Sequence, residues 1–387
     1  MNQDLLDALQ RIADRVPEID AERQYWFIRT NRGKFYDDFH YSNSVGIGYN
    51  LVSWPQIKKA LDHEPNPYNE LVKAIIAKYP EEFDNKTIGK PAGLFFRFFE
   101  EMKAGDVVVM PTSGSSKYAF GVVTDGAPFE VDSASFDDEE IYRKRRPVRW
   151  IVEKDFYDLD SNLYQAFRAP QALSKLNQYA SFIDREMHAL YTKNGKTHFR
   201  LNIDSEGAIN GNDYFPMGSI LLQLAEEFRL SAGIDEAFRE IDVRQNVQSK
   251  GVLEFISKNK MLTVFLVCAS YFALDKGDLE ITETGVKVHM ESGQLTHELL
   301  GFYKEYHKQE NINTILSGKM SKVDAKLTLD ALRIVEGKEP ASQASDSASA
   351  GKADTTKTAS LTSGKTSATL ASSSKPASPA DEKQEKQ

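Results

Sequence analysis

The chain has 387 residues, enough for two ordinary domains, and its 41% apolar and 11% aromatic content can build real cores. Its 57 acidic residues outnumber 48 basic ones for a net charge of −9, which excludes a broad non-specific phosphate-binding surface but leaves room for a local basic groove. A single cysteine, Cys268 in an apolar run, excludes an intramolecular disulfide and reads as a buried inert thiol, and no Cys/His cluster is spaced for structural zinc.

Leu5, Leu6, Leu9, Ile12 and Ala13 fall at helical spacing, predicting an amphipathic helix that ends near Pro17. Tyr25-Trp-Phe-Ile-Arg reads as a strand, followed by a turn at 31–33 and a second short strand at 45–49. Residues 54–61 read as a helix with proline in its first turn, and two further helices fit 68–79 and 92–102. The next stretch is strongly β: a buried strand at 105–111 stopped by proline, a partner at 117–124 across the Thr112-Ser-Gly-Ser-Ser loop, and a last strand at 147–152.

A helical connector is expected over 173–190. Beyond it, strands at 197–203, 240–247 and 252–256 alternate with a helix at 217–230 and a helix at 261–274 that is apolar almost all round. A strand at 286–290 and helices at 295–306 and 320–334 complete this region. From about residue 336 the composition turns to Ser, Ala, Thr and Lys, which cannot offset its ordering entropy, so a disordered tail is expected. The first residues lack a basic and apolar leader pattern, and the apolar run at 261–274 is shorter than a membrane span. A cytoplasmic location with no membrane partner is the expectation.

The strings Tyr25-Trp-Phe-Ile-Arg-Thr-Asn-Arg-Gly-Lys-Phe-Tyr-Asp-Asp-Phe and Asn43-Ser-Val-Gly-Ile-Gly-Tyr form the first half of a series. Phe95 to Phe99, Ala104-Gly-Asp-Val-Val-Val-Met-Pro, Tyr118 to Val123 and Arg145-Arg-Pro-Val-Arg-Trp continue it. In that order the strings resemble the amino-terminal domain of bacterial Mrr-type restriction-endonuclease homologues, over about a third of the chain. The resemblance implies a PUA- or EVE-like barrel that holds a flipped or modified base. It also implies a setting in restriction–modification or antiviral defence.

Pattern and resemblance together give an α+β fold class. A helix in 1–23 precedes a PUA-like mixed β-barrel with inserted helices over 24–152. A helical connector over 153–192, an α+β domain over 193–335 and the tail over 336–387 follow. A flipped base needs a stacking face and edge-reading donors. The candidate ligand-binding residues are therefore Trp26, Arg29, Lys34, Tyr36, Tyr49, Trp54, Lys117 and Tyr118, with Trp26 and Trp150 equally readable as core. Arg143, Lys144, Arg145 and Arg146 form the densest basic run and are candidate phosphate contacts. The alternative is that acidic residues 137–140 neutralise them in a solvated hairpin.

The resemblance would place a nuclease in the second domain, which needs an acid followed by an (Asp/Glu)-x-Lys pair on adjacent strands. Glu240, Asp242, Glu254 and Lys258 lack that spacing, Asp324-Ala-Lys326 falls in a stretch expected to be helical, and Glu336-Gly-Lys338 opens the tail. No catalytic residue, metal or cofactor is therefore assigned, and enzymatic activity stays open, leaning against. The reading is a nucleic-acid-binding protein whose second domain transduces or forms a homo-oligomer. A diverged nuclease and a protein-interaction scaffold are the alternatives.

Overall fold

A computed structural model of the chain describes residues 3–84, 86–131, 142–203, 209–246, 251–274, 312–323, 325–327, 331, 334 and 335. The first amphipathic run forms α1 (Gln3–Asp14), which buries Leu5, Leu9 and Ile12, and β1 (Glu18–Ile19) and β2 (Tyr25–Ile28) follow it. Next come α2 (Tyr36–Tyr41), β3 (Ser44–Ile47), α3 (Trp54–Leu61), α4 (Pro67–Lys78) and α5 (Gly89–Phe96), which runs into a π-helical turn at Arg97–Glu101. Helix α3 starts where it does because Ser53 and Gln56 form a capping box and Pro55 occupies its first turn.

The β-rich stretch gives β4 (Val107–Pro111), β5 (Lys117–Val123), β6 (Phe129–Glu130) and β7 (Lys144–Asp155). Then follow α6 (Leu163–Ala166), β8 (Leu173–Lys175), α7 (Ala180–Met187), β9 (Leu190–Lys193) and β10 (Lys196–Ile203). The remaining elements are α8 (Gly211–Ser231), β11 (Ile241–Asn246), β12 (Gly251–Ser257), α9 (Lys260–Leu274), α10 (Ile312–Lys322) and β13 (Ala325–Lys326).

Two sheets organise these elements. The first is a curled half-barrel in the order β3-β7-β5-β4-β2-β8, with β6 on β7; its pairs are antiparallel except β2 with β4. Alternation along its strands sorts the core into two faces. Trp26, Ile28, Val108 and Met110 pack with α2 to α5, while Tyr25, Phe27, Val107, Val109 and Phe120 pack with Leu163, Phe167 and Ile183. The second sheet runs β1-β9-β10-β12-β11, with β13 on β10, and shares one core with α1, α8, α9 and α10. Cys268 is buried there, and burial pushes its thiol up to about 12.

Several expectations are corrected. Residues 173–190 are not one helix: β8 joins the curled sheet, α7 covers it, and β9 begins the second sheet. The opening helix and β1 belong with the second sheet, because β1 pairs in parallel with β9. The expected helix at 320–334 is interrupted: α10 stops at Lys322 and Ala325–Lys326 pairs with β10 as a strand, while residues 331 and 334 are helical. Strand β7 starts at Lys144, three residues before the expected strand. The expected strand at 286–290, helix at 295–306, acidic run at 137–140 and tail at 336–387 lie outside the described residues. Among the described residues, no helix is long and apolar enough to cross a membrane.

Candidate functional site

An aromatic row lies where α2 meets β7: Tyr36 is buried, His40 and Trp150 are half-buried, and the neighbouring Tyr41 is exposed. The chain enters α2 through a tight turn with Asn31, Arg32 and Gly33 at positive φ. At Gly33 (φ +92°) a Cβ would lie 2.2 Å from the Ser113 backbone, so the turn requires glycine. One helical turn then sets Tyr36 and His40 on one face, their rings 5.7 Å apart and 15° from parallel. Trp150 of β7 continues the row, 6.0 Å from His40 at 17°.

Trp150 fits because β7 bulges at Ile151, opposite the Phe120–Gly121 step of β5, and because at Gly121 a Cβ would sit 2.6 Å from the indole. Its Nε1 donates to the Phe39 carbonyl at 3.2 Å. Tyr41, 82% exposed, stands edge-on to His40 at 5.8 Å. Glu153 supplies an anion beside this row: it accepts from the Tyr36 hydroxyl and pairs with Lys117 at 3.0 Å. The Tyr36 hydrogen bond, followed by Lys117, holds the Glu153 carboxyl below the usual range, so it is ionised at neutral pH. Burial, then Glu153, raises the Tyr36 hydroxyl well above its ordinary value. The corner thus offers an exposed ring at the edge of a half-buried stack, a fixed acceptor and an exposed cation.

Of the eight sequence candidates, the structure brings Tyr36 and Lys117 together on Glu153. Lys34 is exposed on the turn before α2, over the Phe35 ring at 5.7 Å. Trp26 is fully buried and donates to Asp106 at 2.9 Å, and Tyr118 is buried against Phe167 at 4.2 Å; both are core, not a ligand face. Arg29 is spent on the Ala169 carbonyl at 2.8 Å. Tyr49 is half-buried among Tyr79, Phe83 and Phe95, and Trp54 is half-buried in a stack on Phe99 at 4.7 Å. His40, Tyr41, Trp150 and Glu153 were not among the candidates. The signal present in the sequence was the four-residue spacing of Tyr36 and His40.

The basic run departs furthest from expectation. Lys144, Arg145 and Arg146 are buried, so the phosphate-contact reading is corrected for all three. Lys144 donates to the Tyr49 carbonyl at 2.9 Å over the Phe95 ring, and burial lowers its ammonium to about 8. Arg145 pairs with Asp38 and lies over Phe39 at 4.8 Å. Arg146 donates to the carbonyls of Phe98, at 2.8 Å, and Met102, closing the end of the π-helical turn. Arg143 is half-buried, and its Nε donates to the Val131 carbonyl at 3.2 Å.

A second polar cluster is sealed between the curled sheet, α7 and the second sheet. Asp184 accepts from the Tyr25 hydroxyl and Lys193, both at 2.6 Å, while Glu186 pairs with Lys154 at 2.6 Å and Glu254 with His198 at 2.9 Å. All three carboxylates are buried. Lys193, Lys154 and His198 come from β9, β7 and β10, which makes this cluster a brace between α7 and the two sheets. Of the acids considered for nuclease chemistry, Glu240 and Asp242 are exposed and Glu254 belongs to the brace. Among the described residues, no group of three or more His, Cys, Asp or Glu is placed to hold a metal ion.

Fold and corner together define an α+β protein with a curled sheet that carries an aromatic row edged by one exposed ring. A family model described as a domain of unknown function (DUF8426) matches residues 28–176, the span from the end of β2 through β8. Tyr36, His40, Trp150 and Glu153 all lie within it. No curated protein and no solved structure matches the chain.

Proposed function

We propose that the curled sheet is a PUA-like domain whose α2–β7 corner binds an unpaired or flipped base of a nucleic acid, in a setting of restriction or antiviral defence. The observation that carries this reading is the Tyr36–His40–Trp150 row with the 82% exposed Tyr41 at its edge. Base stacking on aromatic rings tolerates any base. The ionised Glu153, which only accepts, favours a base edge that presents an amino group. Lys34 and Lys117 give a local positive contribution in an acidic chain, so the expected salt dependence is shallow.

The test is a fluorescence titration of the full chain with single-stranded, mismatched and modified oligonucleotides at low and moderate salt. Tyr41→Ala and Trp150→Ala should each weaken binding by about tenfold or more, from a stacking contribution of about 1–3 kcal/mol per base. No binding to any oligonucleotide at low salt, or binding that Tyr41→Ala leaves unchanged, would overturn the reading.

A further inference from the structure

The second sheet ends in a strand whose outer edge has no partner among the described residues. Strand β11 (Ile241–Asn246) pairs with β12 alone, in continuous register from Ile241–Ser257 to Asn246–Val252. Free edges of this length are ordinarily guarded by proline, by charged side chains, lysine above all, or by a bulge, because their unpaired N–H and C=O groups template another strand. Strand β11 has no proline, no lysine and no register shift. On one face, Val243 stands across from the buried Phe255 and is itself 41% exposed. On the other face, Asp242 and Arg244 extend into solvent, their side chains 62% and 57% exposed.

This pattern is complementary to itself. We propose that β11 pairs with β11 of a second copy, antiparallel and centred on Val243, joining two second sheets into one across a twofold axis. In that register Asp242 of each copy faces Arg244 of the other, and the two Val243 side chains meet on the apolar face. Moving the centre by one residue sets Asp242 against Asp242 or Arg244 against Arg244, a like-charge contact, so the charges select the register. The Asp242–Lys196 contact at 3.1 Å is a surface pair, and Arg244 reaches the buried Glu254 at 4.0 Å while its own side chain stays 57% exposed, so both groups are open to a further partner. A six-residue edge is at the small end of stable interfaces, so the dimer is a weak one that forms with rising concentration.

Sedimentation velocity of the full chain over a concentration series reads the result. The wild-type chain shifts from monomer to dimer with rising concentration. Asp242→Arg alone and Arg244→Asp alone each weaken self-association by about tenfold or more, since each sets like charges across the axis. An equimolar mixture of the two variants restores a dimer, because every Arg then faces an Asp. Circular dichroism and melting temperature verify that both variants fold. A wild-type chain that stays monomeric throughout, single variants that still dimerise, or a mixture that fails to recover would each overturn the proposal.

Discussion

At the α2–β7 corner, the buried Tyr36 bonds a Lys117–Glu153 pair that stands at the surface beside the exposed Tyr41; between α7 and the two sheets, Tyr25, Asp184 and Lys193 combine the same chemistry away from solvent. The residue types nearly coincide, and only access differs. Burial turns the Asp184 pairs into obligatory partners, since a lone charge there has no water to replace a lost bond. Exposure leaves the Glu153 pair worth little to stability, but leaves its oxygens and the neighbouring rings available to a ligand.

The largest effect should come from opening the sealed cluster. Asp184→Ala leaves the Lys193 ammonium and the Tyr25 hydroxyl without their acceptor, and should cost about 3–5 kcal/mol in urea unfolding. If the loss is below about 1 kcal/mol, the brace is not sealed and the contrast between the two clusters fails.

Acid should act on the same region at intermediate size. His188 is buried, and burial pushes its imidazole down to about 3 from 6.5. The unfolded chain therefore binds a proton in this window that the folded chain does not, so stability falls as pH drops from about 6.5 toward 3. The slope approaches about 1.4 kcal/mol per pH unit from this group alone. His188→Gln should flatten that limb in urea titrations run at successive pH values; an unchanged slope would place His188 in contact with water.

The smallest effect on stability sharpens the comparison from the other side. Tyr41→Ala should shift unfolding free energy by no more than about 0.5 kcal/mol, because its ring makes one edge contact and is otherwise solvated. Any loss of ligand binding in that variant then reports on the site and not on the fold.

The elements most legible in the sequence were those whose signals are local. The apolar run at 107–111 and its partner across a Ser/Gly loop announce a hairpin, and Ser53, Pro55 and Gln56 fix the start of α3. Strands β8 and β9 were hidden because they are three and four residues long and pair with strands distant in sequence, while Leu173, Leu176, Ile183 and Met187 imitate a helical stripe. The run at 144–146 misled because a string shows its charges but not the Asp38 carboxylate, the Phe39 and Phe95 rings, or the backbone carbonyls that receive them. The site was half visible. Tyr36 and Lys117 could be named, but α2 has six residues, too few for periodicity to declare, and Trp150 reaches the row through a bulge opposite Gly121.

The parallel pairing of β2 with β4 carries a consequence for how the molecule assembles. Strands β4, β5 and β7 are antiparallel neighbours in chain order with only β6 described between β5 and β7, so each closes on a partner nearer in the chain than those of β2. Strand β2 sits between β4 and β8, pairing Tyr25 with Val107 and Trp26 with Lys175, and gains neither contact until α2 to α5 and the later β strands are in place. Closing such long loops costs entropy before any contact returns it. The meander is then the natural nucleus, and insertion of β2 the slow, late step. A chain emerging from the ribosome must hold β2 unpaired until β4, and then β8, have been made.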